Sequence, residues 1–457
     1  MSNQLRIGVG AMALILVGLL WRELRPASPV ELRGTGDSVT IAATGDTLLL
    51  KPLPSVNSDA GLRDVENVLQ DASLAVTNLE ENLLDPKNIP GGASPNERRW
   101  PFGTKKSAQD LRRLGFTILS LANNHAIDYG VDAISRTTQI LDGAGLLHAG
   151  TGVDSAQARA PASIGPAGRH VALIAVAASA SPEARATPTR GEILGRPGVN
   201  ALKYAPDVTV DAQTFATLKQ SPAAAAPSDA KSSELTMSGR VIKKGARTDV
   251  HFVADDQDSN EILTQVRTAR RQAEIVIVMV HSHEPSNQST EPADFFRKFA
   301  RDTIEAGAAL VIGQGPHQLR GIEVYKTGVI FYSLGNFIFD LSSVDPRSED
   351  VFDAGTDLYR LALGAVSDQE APTSQAVENP ASWESVIALA EFERGTLRSV
   401  RLQPLDLGVD LPAKQRGTPH LANADRSREI LRRLSDLSRE FGTRVRIENS
   451  IGVIDRE

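Results

Sequence analysis

Five apolar runs in this 457-residue chain each end on residues able to bind a metal ion or move a proton. AATGD ends on Asp46, AVTNLEEN carries Asn78 and Glu80, and ILSLANNH carries Asn124 and His125. VIVMVHSHEP holds His281 and His283, and VIGQGPHQLRG holds Gln314, His317 and Arg320. Carboxylates and imidazoles are the side chains that coordinate divalent ions and transfer protons near neutral pH. Each junction also has a plainer explanation. An aspartate after a glycine suits a turn or a helix N-cap, and a histidine after a strand commonly serves as its polar end.

The five junctions gain meaning together. Parallel strands bring their C-terminal ends to one edge of a sheet, where α/β proteins bind ligands. Oxygen and imidazole donors converging there suit one or two divalent ions. Two ions about 3.5–4 Å apart clamp the attacking and leaving oxygens of a phosphoester. His125 is then placed to protonate a leaving group or to bind a transition-state oxyanion. The chain has no cysteine, so thiolate sites, disulfides and a cysteine nucleophile are excluded. The expected ions are zinc, manganese or iron, held by oxygen and nitrogen donors.

These junctions need an α/β frame, and the sequence supplies its rhythm. SVTIAATGD, ASLAVTNLEEN and TILSLANNH read as buried strands, with SAQDLRRLGF and VDAISRTTQILDGAG as helices closed by glycines. Further apolar runs at 170–179, 273–281, 308–313 and 328–333 read as strands. Residues 205–250 break the rhythm, and SPAAAAPSDAKSS within them reads as a flexible insertion. An acidic, loop-like stretch covers 345–382. After it come a hairpin around Arg394-Gly395, an amphipathic helix at about 425–441 and a short last strand.

Composition sets outer bounds. With 49 Lys and Arg against 56 Asp and Glu, the net charge is −7. No basic face for bulk nucleic-acid binding is expected. Ile7 to Trp21 is continuously apolar, with Arg6 before it and Arg22 and Arg25 after. Such a run is shorter than the roughly 20 residues of a spanning helix and fits a signal-peptide core or a short anchor. No clear small-residue cleavage site follows, so an uncleaved anchor at about residues 6–21 and an extracytoplasmic body are expected.

TGD, TNLEENL, LANNHAIDYG, PGVN, VHSHEP, GPHQLRGIEVY and FYSLGNFIFD follow one another in this order. Together they resemble the poly-γ-glutamate capsule synthesis (CapA) family, a branch of the calcineurin-like metallophosphatase superfamily. The resemblance runs from about Val39 to Asp340 and more loosely beyond. It implies an α/β fold of four layers, an α-β-β-α sandwich, with a metal site at the strand ends. The domain would cover residues 37–343, preceded by the segment and linker of residues 1–36 and completed by residues 344–457.

Carried over motif by motif, the resemblance makes Asp46, Glu80, Asn124 and His317 metal ligands, together with His281 or His283. It makes His125 the catalytic acid. Asn78, Gln314 and Arg320 would touch substrate, and the segment Trp100 to Lys106 is a further candidate for binding an anion. Asp128 and Asn336 would support turns or hold ligands through hydrogen bonds. Two departures stand out. The usual Asp-x-His reads Asp46-Thr47-Leu48, and the usual Gly-His-x-His reads Gly313-Gln314-Gly315-Pro316-His317. One ion or two therefore remain open.

The function so implied is a metal-dependent, phosphoesterase-like hydrolase in making or exporting an anionic extracellular polymer. Its partners would be that polymer or a phosphoester substrate, and membrane-embedded capsule synthase or export subunits. The departures motivate an alternative, a non-catalytic polymer-binding subunit of such an assembly. A cytoplasmic nucleotide phosphatase is a third reading, disfavoured by the apolar N-terminal segment.

Overall fold

In the strand Ser38–Leu48, Val39, Ile41 and Ala43 enter one apolar cluster while Ala42 enters another. This period of two, apolar on both sides, marks a strand buried between layers. The computed structural model that shows it describes residues 31–340 and 379–455, apart from 35, 56, 86, 88–101, 167–168, 222–232, 238–239 and 412–415. The expected anchor at residues 6–21, Trp100, and most of the loop at 345–382 lie outside the described residues.

Strand Ser38–Leu48 is central to a ten-stranded sheet. Leu74–Leu79, Ile118–Ser120 and Leu147–Ala149 follow it in parallel on one side. Its other side has two successive neighbours. Residues 38–43 pair antiparallel with Glu384–Glu393, and residues 46–48 pair parallel with Asn336–Phe339. The handover falls at Gly45, where a Cβ would lie 1.8 Å from the carbonyl oxygen of Gly335. Only glycine permits that approach, and the same oxygen accepts the Asp46 N–H at 2.9 Å. The bulge therefore sets Asp46 in place.

A six-stranded sheet packs against the first. Its order is Ile322–Tyr325, Gly328–Phe331, Leu310–Gln314, Ile275–His281, Val171–Ala177 and Ala162–Ile164. Between the sheets lie Ile41, Val76 and Ile118 from one and Leu173, Ile277 and Ile312 from the other. Helices Ala60–Asp71 and Lys105–Leu114 cover the outer face of the first sheet through Leu62, Leu69 and Leu111. Helices Asp256–Arg270 and Asp294–Glu305 cover the second through Val266, Phe296 and Phe299. The layers run helix, sheet, sheet, helix, as the resemblance implies.

The hairpin strands Glu384–Glu393 and Thr396–Asp406 meet at Arg394 and Gly395, with φ of 50° and 70°. Two positive φ values are those of a type I′ hairpin turn. Helix Ala424–Arg439 then lays Ile430, Leu431 and Leu434 into the core between the sheets. The break in rhythm at 205–250 holds regular structure of its own. Strands Tyr204–Val210, Glu234–Met237, Arg240–Lys244 and Asp249–Ala254 form a separate sheet, with helix Ala212–Lys219 beside them. Val208, Val210, Phe215 and Leu235 make its small core. Among the described residues, no helix is long and apolar enough to cross a membrane.

Candidate metal centre

Strand register aligns the polar ends. Asp46 pairs with Asn78 on one side and Asn336 on the other, and His281 pairs with Gln314. The two sheets present these ends to a common space. Asp46 is 0% exposed. Its Oδ1 accepts from Asn78 Nδ2 at 2.8 Å, and its Oδ2 accepts from the Gly315 N–H at 2.8 Å. Gly315 has φ of 110°, and a Cβ there would meet the Ser282 backbone at 3.0 Å.

Glu80 is the hub. Its Oε1 lies 3.4 Å from His281 Nε2, 3.9 Å from His283 Nε2 and 3.8 Å from His317 Nε2. Glu80, His281 and His283 place ligand atoms within 4.8 Å of one another, and so do Asp46, Glu80 and His317. One carboxylate is thus common to two donor sets. Both Glu80 oxygens are buried, and among the described residues no N–H or hydroxyl donates to them; their side-chain contact with Asp46 joins two acids. A buried carboxylate without donors costs several kcal/mol. Cations between these groups would offset that cost, so the donor set fits divalent ions.

Electrostatics point the same way. Burial pushes the Asp46 carboxyl up to about 7. Burial, then the Asp46 charge, pushes Glu80 well above the usual carboxylate range. The imidazoles move oppositely: burial holds His281 well below its usual value, His283 at about 3 and His317 at about 4. Neutral imidazoles are the ligating form, and the carboxylates lack only a neighbouring positive charge.

Three of the imidazoles are braced. His317 Nδ1 lies 2.9 Å from Asn336 Oδ1, which turns Nε2 toward Glu80. Its φ of 55° is strained for a non-glycine residue, and such strain gathers at functional sites. His283 Nδ1 lies 2.7 Å from Asn287 Oδ1. His125 Nδ1 lies 2.7 Å from Asp128 Oδ2, so the aspartate orients the ring, as expected of a supporting residue. Buried amide atoms without a partner stand at two more strand ends: Asn124 Oδ1 and both side-chain atoms of Gln314.

Asp46, Glu80, His281, His283 and His317 come together, and both members of the His281/His283 pair face Glu80. Two substrate-binding expectations are corrected. Asn78 is 0% exposed and its amide holds Asp46 and approaches His281 Nδ1 at 3.2 Å. It braces Asp46 and His281. Arg320 is also 0% exposed. Its nitrogens donate to the carbonyls of Glu284, Ser286 and Ser289 at 2.9, 3.0 and 3.1 Å. It pins the loop after His283 instead of meeting an anion. Lys106, from the segment expected to bind an anion, pairs with Asp110. Where a histidine would complete Asp-x-His, Leu48 packs with Phe339, Trp383 and Leu407.

Two supporting residues escaped the sequence reading. Asn123 donates to Asn78 Oδ1 at 3.2 Å and to the Leu79 carbonyl at 2.7 Å, and its own oxygen accepts the His125 N–H at 3.1 Å. The doubled asparagine was a visible signal. Asn287, four residues past His283, had none.

A 35% identical protein of Sinorhizobium fredii, the uncharacterized protein y4sH, aligns over 92% of this chain and 93% of its own length. The capsule biosynthesis protein CapA of Bacillus anthracis is 26% identical over 72% of this chain and 66% of that protein. The PGA biosynthesis protein CapA of Bacillus subtilis is 23% identical over 73% of this chain and 72% of that protein. Among solved structures, Haemophilus influenzae NAD nucleotidase aligns with 87% of this chain and 56% of its own, at 8% identity and a TM-score of 0.35. The family model described as bacterial capsule synthesis protein PGA_cap matches residues 40–341, more than half of the chain. The chain belongs to the bacterial capsule synthesis protein family.

Proposed function

We propose that this protein is a metal-dependent hydrolase of capsule or poly-γ-glutamate biosynthesis, acting outside the cytoplasmic membrane and held there by residues about 6–21. The observation that carries the catalytic part is Glu80, buried, without an N–H or hydroxyl donor among the described residues and common to two sets of metal donors. The names of the Bacillus relatives, a capsule biosynthesis protein and a PGA biosynthesis protein, support the biological setting.

One or two divalent ions, zinc, manganese or iron, would supply Lewis-acid polarisation of a phosphoryl or acyl oxygen. Asp46, Glu80, His281, His283 and His317 would hold them, and Asn124 and Gln314 bring amide groups to the same strand ends. His125 gives its Nε2 proton to the leaving oxygen while Asp128 holds Nδ1. The side chain of His283 is 17% exposed whereas those of Asp46, Glu80 and His281 are 0% exposed. Substrate therefore approaches from the His283 side. An anionic polymer or a phosphoester is the substrate class, and membrane-embedded synthase or export subunits are the partners.

Leu48 supports a second reading, a polymer-binding subunit without turnover. An apolar side chain stands where the usual first motif has a ligand. Plasma mass spectrometry of the purified protein, with assays on chromogenic phosphoesters and γ-glutamyl peptides, separates the two. One or two transition ions per chain with turnover lost in His125→Ala supports the hydrolase. Metal without turnover of any such substrate supports the binding subunit. Fractionation of cells expressing the full chain tests the membrane anchor.

A further inference from the structure

His283, the most exposed ligand of the centre, sits on a loop that the inserted sheet helps to hold. Tyr204 begins the first strand of that sheet, and its ring stacks on Phe295 with centroids 4.9 Å apart and an interplanar angle of 8°. Its hydroxyl donates to Glu284 Oε1. The other oxygen of Glu284 accepts from Ser179 Oγ at 2.8 Å and from Ser282 Oγ at 2.7 Å. Ser179 Oγ in turn accepts the His283 N–H at 2.8 Å. A continuous run of hydrogen bonds therefore joins the inserted sheet to the His283 main chain. The carboxylate at its middle is only 8% exposed, so its bonds are not traded freely for water.

The other donor set lies off this run of hydrogen bonds, although the Asn78 amide that holds Asp46 also approaches His281 Nδ1 at 3.2 Å. Asp46 is held by Asn78 and Gly315, and His317 by Asn336. The Glu284 carboxylate is hydrogen-bonded by Tyr204, Ser179 and Ser282, and these bonds do not include Asn78, Gly315 or Asn336.

We propose that Tyr204 and Glu284 are positioning residues for one metal position only, the one formed by Glu80, His281 and His283. Through Ser179 they fix the backbone from which His283 reaches Glu80. The position formed by Asp46, Glu80 and His317 is indifferent to them. The inserted sheet thereby takes part in metal binding without contributing a ligand. The inference rests on the metal-centre reading above.

The test is titration of the full chain with cobalt(II), followed by visible absorption and calorimetry. Wild type, Tyr204→Phe, Glu284→Gln and Glu284→Ala are compared, with melting temperature as a check on folding. Tyr204→Phe keeps the ring stacked on Phe295 and removes only the hydroxyl. It is expected to weaken one of two cobalt equivalents on the order of tenfold, as loss of an outer hydrogen-bond partner does. The other equivalent keeps its affinity and its absorption band. Glu284→Ala is expected to weaken the same equivalent further, and Glu284→Gln, which keeps one acceptor oxygen, to restore part of it. Two equivalents in wild type with no change in Tyr204→Phe and Glu284→Ala overturn the positioning role and leave the metal centre standing. Equal weakening of both equivalents overturns the separation of the two positions. No cobalt bound by wild type overturns the metal centre and this inference with it.

Discussion

Asp128 Oδ2 lies 2.7 Å from His125 Nδ1, three residues away within one loop after strand Ile118–Ser120. Both side chains are nearly buried, at 6% and 2% exposure. A carboxylate on Nδ1 fixes the tautomer and keeps the other nitrogen available for proton transfer. Asp128→Asn preserves the shape and removes the negative charge. Turnover on an accepted phosphoester is expected to fall on the order of 10- to 100-fold with metal content unchanged. Unaltered kcat in this variant would remove Asp128 from the mechanism.

Glu80 and the histidines predict a hierarchy of metal loss. Glu80 belongs to both donor sets, whereas His283 and His317 each belong to one. Glu80→Ala is expected to empty both positions. His317→Ala and His283→Ala are each expected to empty one, leaving about half of the wild-type metal by plasma mass spectrometry. A His317→Ala protein with no metal at all would show that the two positions fill only together.

The strand ends were legible because an apolar run ending on a polar donor is a local signal, and parallel pairing brings distant ends together. Asp46 and His281 are 235 positions apart yet their side chains lie 3.7 Å apart. Their braces were less legible. Asn287 and Ser179 lie in irregular loops, where no periodicity marks the face a side chain takes. Arg320 misled for a similar reason. A basic residue in a Gly-rich loop resembles an anion site, and the carbonyls it serves come from a loop whose path the sequence does not reveal. The inserted sheet was hidden because the Ala/Ser/Pro stretch at 221–233 interrupts its strands, and they are short enough to be lost beside it.

The shifted acidities predict how metal binding responds to pH. Burial holds His283 at about 3 and His317 at about 4, so both stay neutral down to mildly acid conditions. Burial raises Asp46 to about 7 and Glu80 higher than the usual range. The competing proton near neutrality is therefore on a carboxylate. As pH falls from 8 to 6, Asp46 takes up a proton in the metal-free chain and the ion must displace it. Affinity is expected to fall on the order of tenfold from Asp46 alone. Calorimetry in two buffers of different ionisation enthalpy would detect protons released on binding. An affinity flat from pH 8 to 5, and falling only near pH 4, would place control on the histidines.

Arg320 offers a contrast between architecture and recognition. Its guanidinium is buried beneath the loop at 284–289, and burial lowers its pKa to about 9. It remains charged at neutral pH because the Glu284, Ser286 and Ser289 carbonyls and the nearby Glu284 carboxylate favour the cation. Removing it in Arg320→Met strands those carbonyls in a dry interior, at about 1–3 kcal/mol for each group left unpaired. The melting temperature is expected to drop, and the loop carrying His283 to loosen. Arg320→Lys is expected to restore little, since one ammonium cannot reproduce the planar fork across three acceptors. If Arg320 instead bound the anionic substrate, its substitution would raise KM and leave the melting temperature alone. Thermal unfolding and Michaelis kinetics on Arg320→Lys therefore decide between a pinned loop and a substrate contact.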